Sequence, residues 1–451
     1  MPNSCSGSRG RLLLRKKEVE KIASYERRKQ GHGRSKFPAH LPRETVEIDL
    51  PEEERICPDC GETMEAFGVE TTERGHIIPA RIVVRPYLRK KYACSCGQCV
   101  RTPELPPSLI EKCKYETSVY AHLTVAKYGD HQPLHRLAGI YKRYGFSLPK
   151  STMWEMLQRV DEIAAQPILA QMQRELLTEP VLQADETPVT VQLEDGKGSR
   201  KSYIWCYGIG TKVFDFTITR EREGPRKFLR DWKGTLQTDG YSGYDEVVRV
   251  NSLVRAGCWS HARRKVKDAL DTGSPSALPV MRHMQRLFRI ERAMKNRAGD
   301  DIDALHALRS EIRPRLSERV LDRIRQSVRD LWEERSTLPK SVLGKALTYL
   351  DNQWEPLTVF VKNPLLEIHN NDCERAIRHV VTGRKNWLFF GSPRGAEVGA
   401  NLFSLVAACK ALDIHPEAYL EDVLVRVGTT PMSEIARLTP WAWAEERNSI
   451  R

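Results

Sequence analysis

Three acids far apart in the chain could hold metal ions if folding brings them together. Asp185 lies in VLQADETPVTV, Asp239 ends TLQTDG, and Glu374 sits in NNDCERAIRHVV. Both aspartates interrupt stretches of strand composition, which disfavours them. Carboxylates set side by side repel, so they are expected together where a cation neutralises them. Oxygen ligands suit Mg²⁺ (or Mn²⁺). Two such ions can assist both the attacking and the leaving oxygen of a phosphodiester displacement. After Glu374 come Arg378, Arg384, Lys385 and Trp387, then Phe389 and Phe390. Cations interleaved with rings suit phosphate contact and base stacking.

Thiols carry a second chemistry. Cys57 and Cys60 form one C-x2-C knuckle, and Cys96 and Cys99 form another. Two knuckles supply the four ligands of tetrahedral zinc. Four thiolates leave no open position, so this zinc is expected to be structural and to hold a small strand-rich unit folded. Cys94 competes for either of the last two places. Cys258 and His261 form a C-x2-H pair. No two further ligands follow at matching spacing, so a structural role near the rim of the acid site is expected. Trp259 between them reads as core.

The elements that must position the acids can be read from the same stretches. Strands are expected at 181–191, 203–209 and 213–219, a helix at 225–232, a strand at 235–238, a helix at 244–250 and a strand at 252–258. Three antiparallel strands, a helix, a strand, a helix and a strand make the ribonuclease-H-like order. It places the Asp239 strand beside the Asp185 strand. The Glu374 helix is expected to start at an Asn370 or Asn371 cap, with Asp372 favoured by the helix dipole, and to stop at Gly383. Asn371, Glu374 and Arg378 would then share a face. The strongly helical, Arg-rich residues between the fifth strand and this helix are too many for a loop and form a helical insertion.

The chain has 451 residues and a net charge of +13. Its pI of about 9.2 fits a protein that meets nucleic acid. No apolar run is long enough for a membrane span and no signal peptide is recognisable. A cytoplasmic protein is expected, with no membrane partner. Eleven cysteines, five of them between 57 and 99, favour metal over disulfides. The expected class is α+β multidomain. A basic N-terminal arm spans 1–55 and a zinc-ribbon-like unit 56–102. Residues 103–179 form a helical DNA-binding segment, whose two short helices across Gly145 read equally as a helix-turn-helix or a helical hairpin. A ribonuclease-H-like catalytic domain spans 180–393 with its helical insertion at about 260–365, and a C-terminal helical region spans 394–451.

Taken together and in order, ICPDCG, KYGDHQPLHRLAGIYKRYGFSLPKSTM, VLQADETPV, LQTDGYSGYD, GCWSHARRK, NNDCERAIRHVVTGRKNWLFFGS and YLEDVL resemble the transposases of the insertion-sequence-66 family, bacterial DDE transposases. The resemblance runs from about residue 32 to 425. It implies that Asp185, Asp239 and Glu374 are the DDE acids; two-metal chemistry would then have Asp185 shared between the ions, Asp239 on the first and Glu374 on the second. It implies double-stranded DNA with terminal inverted repeats as substrate, a target DNA, a homo-oligomer on DNA and companion proteins of the same element. Water attack would free a 3′-OH, which would then attack the target. Three features depart from similar sequences: a short N-terminal segment, a second knuckle written CSCGQC, and His379 where proline is usual. Two other classes fit the same residues: a non-catalytic DNA-binding relative acting as repressor or competitor, and a metal nuclease without a joining step.

Overall fold

The computed structural model describes residues 113–193, 198–334 and 337–450 continuously, with 82–93, 100–106 and scattered shorter stretches between 43 and 110. Cys57, Cys60, Cys94, Cys96 and Cys99, and residues 1–42 of the arm, lie outside the described residues.

Residues 1–80 and 81–451 form two compact units. In the first, the described residues include a turn at Glu52–Arg55 and an antiparallel bridge from Ile56 to Thr63. The second unit contains a short antiparallel ribbon, β1 (Tyr92–Ala93) with β2 (Val100–Arg101).

Four helices follow: α1 (Thr117–Thr124), α2 (Leu134–Arg143), α3 (Lys150–Val160) and α4 (Gln166–Leu176). Gly145 makes the turn after α2 with φ +76°, a conformation that suits glycine. The helix beyond it is not short. A wide helical turn at Asp161–Ala165 joins α3 to α4 without a break. Met153, Met156, Leu157, Val160, Ala164, Ile168 and Met172 give this rod one continuous buried stripe, which is why it does not end after three turns. Fully buried Asp161 lies mid-rod and accepts bonds from Gln166, Arg394 and Asn401.

The sheet has five strands: β3 (Val181–Gln192), β4 (Ser199–Tyr207), β5 (Val213–Thr217), β6 (Thr235–Gln237) and β7 (Val254–Ala256). Their spatial order is β5-β4-β3-β6-β7. The first three form an antiparallel meander; β6 runs parallel to β3, and β7 parallel to β6. Helices α5 (Glu223–Leu229) and α6 (Asp245–Val250) make the crossovers.

The insertion comprises α7 (Trp259–Asp271), α8 (Leu278–Ala298), α9 (Ile302–Ile312), α10 (Glu318–Glu333), α11 (Val342–Asn352) and the short α12 (Trp354–Thr358). It has its own core, reaching the sheet at Val181 and Ala256. After it come α13 (Asn371–Trp387), α14 (Pro393–Ala411), α15 (Pro416–Arg426) and α16 (Pro440–Ile450). A larger core takes in Leu157, Trp205, Phe214, Phe403 and Tyr419 together. Each such side chain contributes about 1.5–3 kcal/mol on burial, so the N-terminal helices, the sheet and the C-terminal helices stabilise one another. No helix among the described residues is long and apolar enough to cross a membrane.

Candidate active site

The parallel register of β3 and β6 sets Gln183 opposite Gln237. Asp185 and Asp239 each follow their glutamine by two residues, and side chains two apart in an extended chain share a face. Asp185 is therefore carried on β3, and Asp239 two residues past the end of the neighbouring β6, each in phase with its glutamine. Both are half-buried.

The two glutamines bring in the third acid. Gln183 donates to the Gln237 side-chain carbonyl at 2.9 Å and to the His369 carbonyl at 3.0 Å, and accepts the Cys373 N–H at 3.4 Å. Gln237 donates to the carbonyls of Glu367, at 2.7 Å, and Gly257, at 3.3 Å. A fully buried amide pair thus holds the segment that becomes α13, and Glu374 follows in its first turn. The repeat L-Q-x-D in 182–185 and 236–239 is the sequence signal that marks these glutamines.

Electrostatics link the three acids. Burial pushes the Asp185 carboxyl up to about 8, and the charges of Glu186, Asp239 and Glu374 push the same way, against one stabilising backbone N–H from Glu186. Glu186, which the spacing did not single out, is buried beside Asp185. It accepts Arg220 Nε at 3.0 Å and the Tyr244 hydroxyl at 2.9 Å. The Arg220 guanidinium lies 3.6 Å from the Tyr241 ring centroid, and the Tyr241 N–H is bonded to Asp239 at 2.9 Å.

Glu374 is flanked by the insertion. Its carboxylate lies 3.4 Å from Arg264 and 3.5 Å from His261 Nδ1, both on α7. Donor atoms of Cys258, His261 and Glu374 fall within 4.8 Å of one another. The Cys258 thiol is pushed up to about 11 by burial, against the backbone N–H groups around it. Burial also lowers the His261 imidazole, while the charges of Glu374 and Asp239 pull it back up. Trp259 is fully buried, its indole N–H on the Leu357 carbonyl at 2.7 Å.

The basic segment after Glu374 differs from expectation. The helix does not stop at Gly383; it runs to Trp387 and ends at Leu388, φ +67°. Gly383 serves close packing: a Cβ there would sit 2.9 Å from Trp387 Nε1 and 3.3 Å from Phe403 Cζ. Arg384 is turned inward and donates to the Thr187 hydroxyl at 3.0 Å and to the Pro188 carbonyl. Trp387 packs against Phe390 with centroids 4.4 Å apart. Arg378 and Lys385 are exposed. At the other end Asn370 holds the cap position, but its side chain makes no cap bond and points to the Ala184 carbonyl at 3.4 Å. Asp372 is pinned by Lys212 at 2.6 Å; burial opposes its charge, but Lys212 wins and its carboxyl is lowered.

The charges of Asp239 and Glu374 both act on Asp185, and Glu374 keeps a buried oxygen with no hydrogen bond, but the donor atoms that come within 4.8 Å of one another among the described residues are those of Cys258, His261 and Glu374.

Residues 112–398 match the family described as Transposase IS66 family, and 404–441 match the IS66 C-terminal element. Residues 54–97 match the zinc-finger binding domain of transposase IS66, a span that includes Cys57, Cys60, Cys94 and Cys96 and stops before Cys99. Uncharacterized protein y4jD of Sinorhizobium fredii (strain NBRC 101917 / NGR234) is 30% identical over 432 residues, 91% of this chain and 82% of that protein. Uncharacterized protein y4hP of the same strain is 28% identical over 439 residues, 91% of this chain and 77% of that protein. With its central region matched from end to end and both flanking elements in their places, the chain belongs to the IS66 transposase family.

Proposed function

We propose that this protein is a DDE transposase with a ribonuclease-H-like catalytic domain, which cuts the ends of an insertion sequence and joins them to target DNA. The observation that carries the reading is the desolvated Asp185 carboxyl with the charges of Asp239 and Glu374 acting on it. Burying three acids together costs free energy unless cations or protons compensate. Asp185, Asp239 and Glu374 would hold Mg²⁺ or Mn²⁺, which when bound activates the attacking oxygen and stabilises the leaving one. Glu186 orients Arg220, and the half-exposed guanidinium can meet a phosphate beside the acids. Arg378 and Lys385 present cations to the DNA backbone, in keeping with the +13 charge. The N-terminal knuckles would hold one structural zinc, with Cys57 and Cys60 as two ligands and two of Cys94, Cys96 and Cys99 completing the set.

The test replaces each acid by its amide. Asp185→Asn, Asp239→Asn and Glu374→Gln are each expected to abolish Mg²⁺-dependent strand cleavage. Affinity for inverted-repeat DNA should stay equal or rise, because a charge that repels phosphate is gone. Thermal stability without divalent cation should not fall, since like-charge repulsion is relieved. Acids with a purely structural role would instead lose stability, binding and cleavage together. Substantial residual cleavage by any variant removes that residue from the site.

A further inference from the structure

We propose that His261 is a nitrogen ligand to the divalent cation held by Glu374, so that this side of the acid site is a mixed nitrogen–oxygen position favouring Mn²⁺ over Mg²⁺. The inference rests on the reading of Glu374 as a metal ligand.

The geometry is unusual for a histidine and a glutamate with no other task. His261 Nδ1 and Glu374 Oε1 face each other at 3.5 Å, both are buried, and neither makes a hydrogen bond. Buried polar atoms nearly always find a partner, and leaving one without costs about 1–3 kcal/mol. Two such atoms side by side, neither satisfying the other, are arranged as donors to a third centre.

The main chain enforces the placement. His261 lies in the first turn of α7, which opens at Trp259. The Trp259 N–H is bonded to the Ile368 carbonyl at 3.0 Å, and the Asn370 N–H points at the Cys258 sulfur at 3.5 Å. These contacts tie the start of α7 to the segment entering α13, so the imidazole and the carboxylate are fixed across from one another. Cys258 is fully buried and its sulfur already accepts an N–H, so it backs the pair as a neutral wall. The imidazole and the Glu374 carboxylate each keep about a fifth of their surface exposed, which leaves a path for a cation.

Imidazole nitrogen is a softer donor than carboxylate oxygen. Mg²⁺ prefers oxygen in near-octahedral geometry, whereas transition ions accept nitrogen readily. The spacing C-x2-H showed no complete site because the carboxylate that faces His261 belongs to Glu374, beyond the whole insertion.

Mn²⁺ is the probe, since thiolate knuckles select zinc and not Mn²⁺. Pulsed electron paramagnetic resonance of full-length protein with Mn²⁺ is expected to show ¹⁴N coupling from a coordinated imidazole. His261→Ala should lose that coupling and bind Mn²⁺ about ten-fold more weakly, the lower end of what loss of a group supporting a metal site does. Its Mg²⁺ affinity, measured by competition, should hold within about two-fold. His261→Gln, which keeps the volume, should lose the coupling as well and guards against a folding defect in the alanine variant. Mn²⁺ bound to wild type without ¹⁴N coupling, or coupling that survives in both variants, overturns the proposal. If Asp185→Asn weakens Mn²⁺ binding and the His261 variants do not, the acid site stands and the histidine ligand falls. If wild type binds no Mn²⁺, both fall.

Discussion

Arg384 and Lys385 are neighbours in sequence with opposite employment. The guanidinium of Arg384 is spent on the Thr187 hydroxyl and the Pro188 carbonyl, fastening α13 to β3. Lys385 points to solvent. Arg384→Ala is therefore expected to lower stability by about 1–3 kcal/mol, the cost of orphaning part-buried acceptors, and to leave the salt dependence of DNA binding unchanged. Lys385→Ala should leave the melting temperature in place and reduce the salt slope by about one phosphate contact. Thermal melts and binding titrations across salt concentrations check both. A reduced slope with an unchanged melt for Arg384→Ala would show that this side chain reaches DNA. Composition marked the segment as basic and aromatic but could not tell which cation is turned inward, because that depends on β3, nearly two hundred residues upstream.

At the scale of elements, the helix that carries Glu374 is docked by Gln183 and Gln237. Replacing either by leucine keeps the volume and strands buried carbonyls at His369 and Glu367. A loss of about 2–4 kcal/mol is expected, from about 1–3 kcal/mol per orphaned group. Cleavage should fall further than DNA affinity, since Glu374 shifts while the basic surface remains. Unaltered melting with full cleavage would show that the docking is dispensable. Much of this architecture could be read beforehand. Alternation and turn residues located all five strands and the two crossover helices, because a half-buried sheet writes its period into the chain. The L-Q-x-D repeat was there to be read as well. Features set by distant neighbours were not legible. Gly383 looked like a helix stop because its real partners, Trp387 and Phe403, are visible only in three dimensions. Asn370 looked like a capping side chain, but its amide is drawn to the Ala184 carbonyl. The wide turn through Asp161 carries α3 on into α4, where the sequence marked only the start of α3.

At the scale of the molecule, buried charge ties the insertion to the segment that leads into α13. Arg313 is bonded bidentately to Glu291 at 2.8–2.9 Å and donates to the carbonyls of Phe360, Asn363 and Leu366. Arg309 bonds the Pro364 carbonyl and Glu367, which also pairs with Lys295 at 2.7 Å. The segment 360–367 leads directly to α13, so these arginines set where Glu374 begins. Burial alone would raise the Glu367 carboxyl, but Arg309 and Lys295 outweigh it and hold it at about 2. A folded value below the unfolded one gives stability that is present above the unfolded value of about 4.3 and is lost as pH falls toward 2. Glu367→Gln is expected to be less stable than wild type at neutral pH and to lose less stability between about pH 5 and 3. Denaturant midpoints measured across that range decide it; parallel curves would mean that Glu367 is not coupled to folding.

The in-phase placement of Asp185 and Asp239 imposes a parity rule on the gene. Each acid shares a face with its docking glutamine only because the separation is even. A one-residue insertion or deletion inside either L-Q-x-D would send the acid through to the opposite face while leaving composition and strand propensity almost untouched. Length changes in the turn between α7 and α8 carry no such penalty, because a helical hairpin absorbs them without altering which way a strand side chain points. Frame-preserving indels should therefore be tolerated across the insertion's turns and forbidden within two four-residue windows that lie more than fifty positions apart.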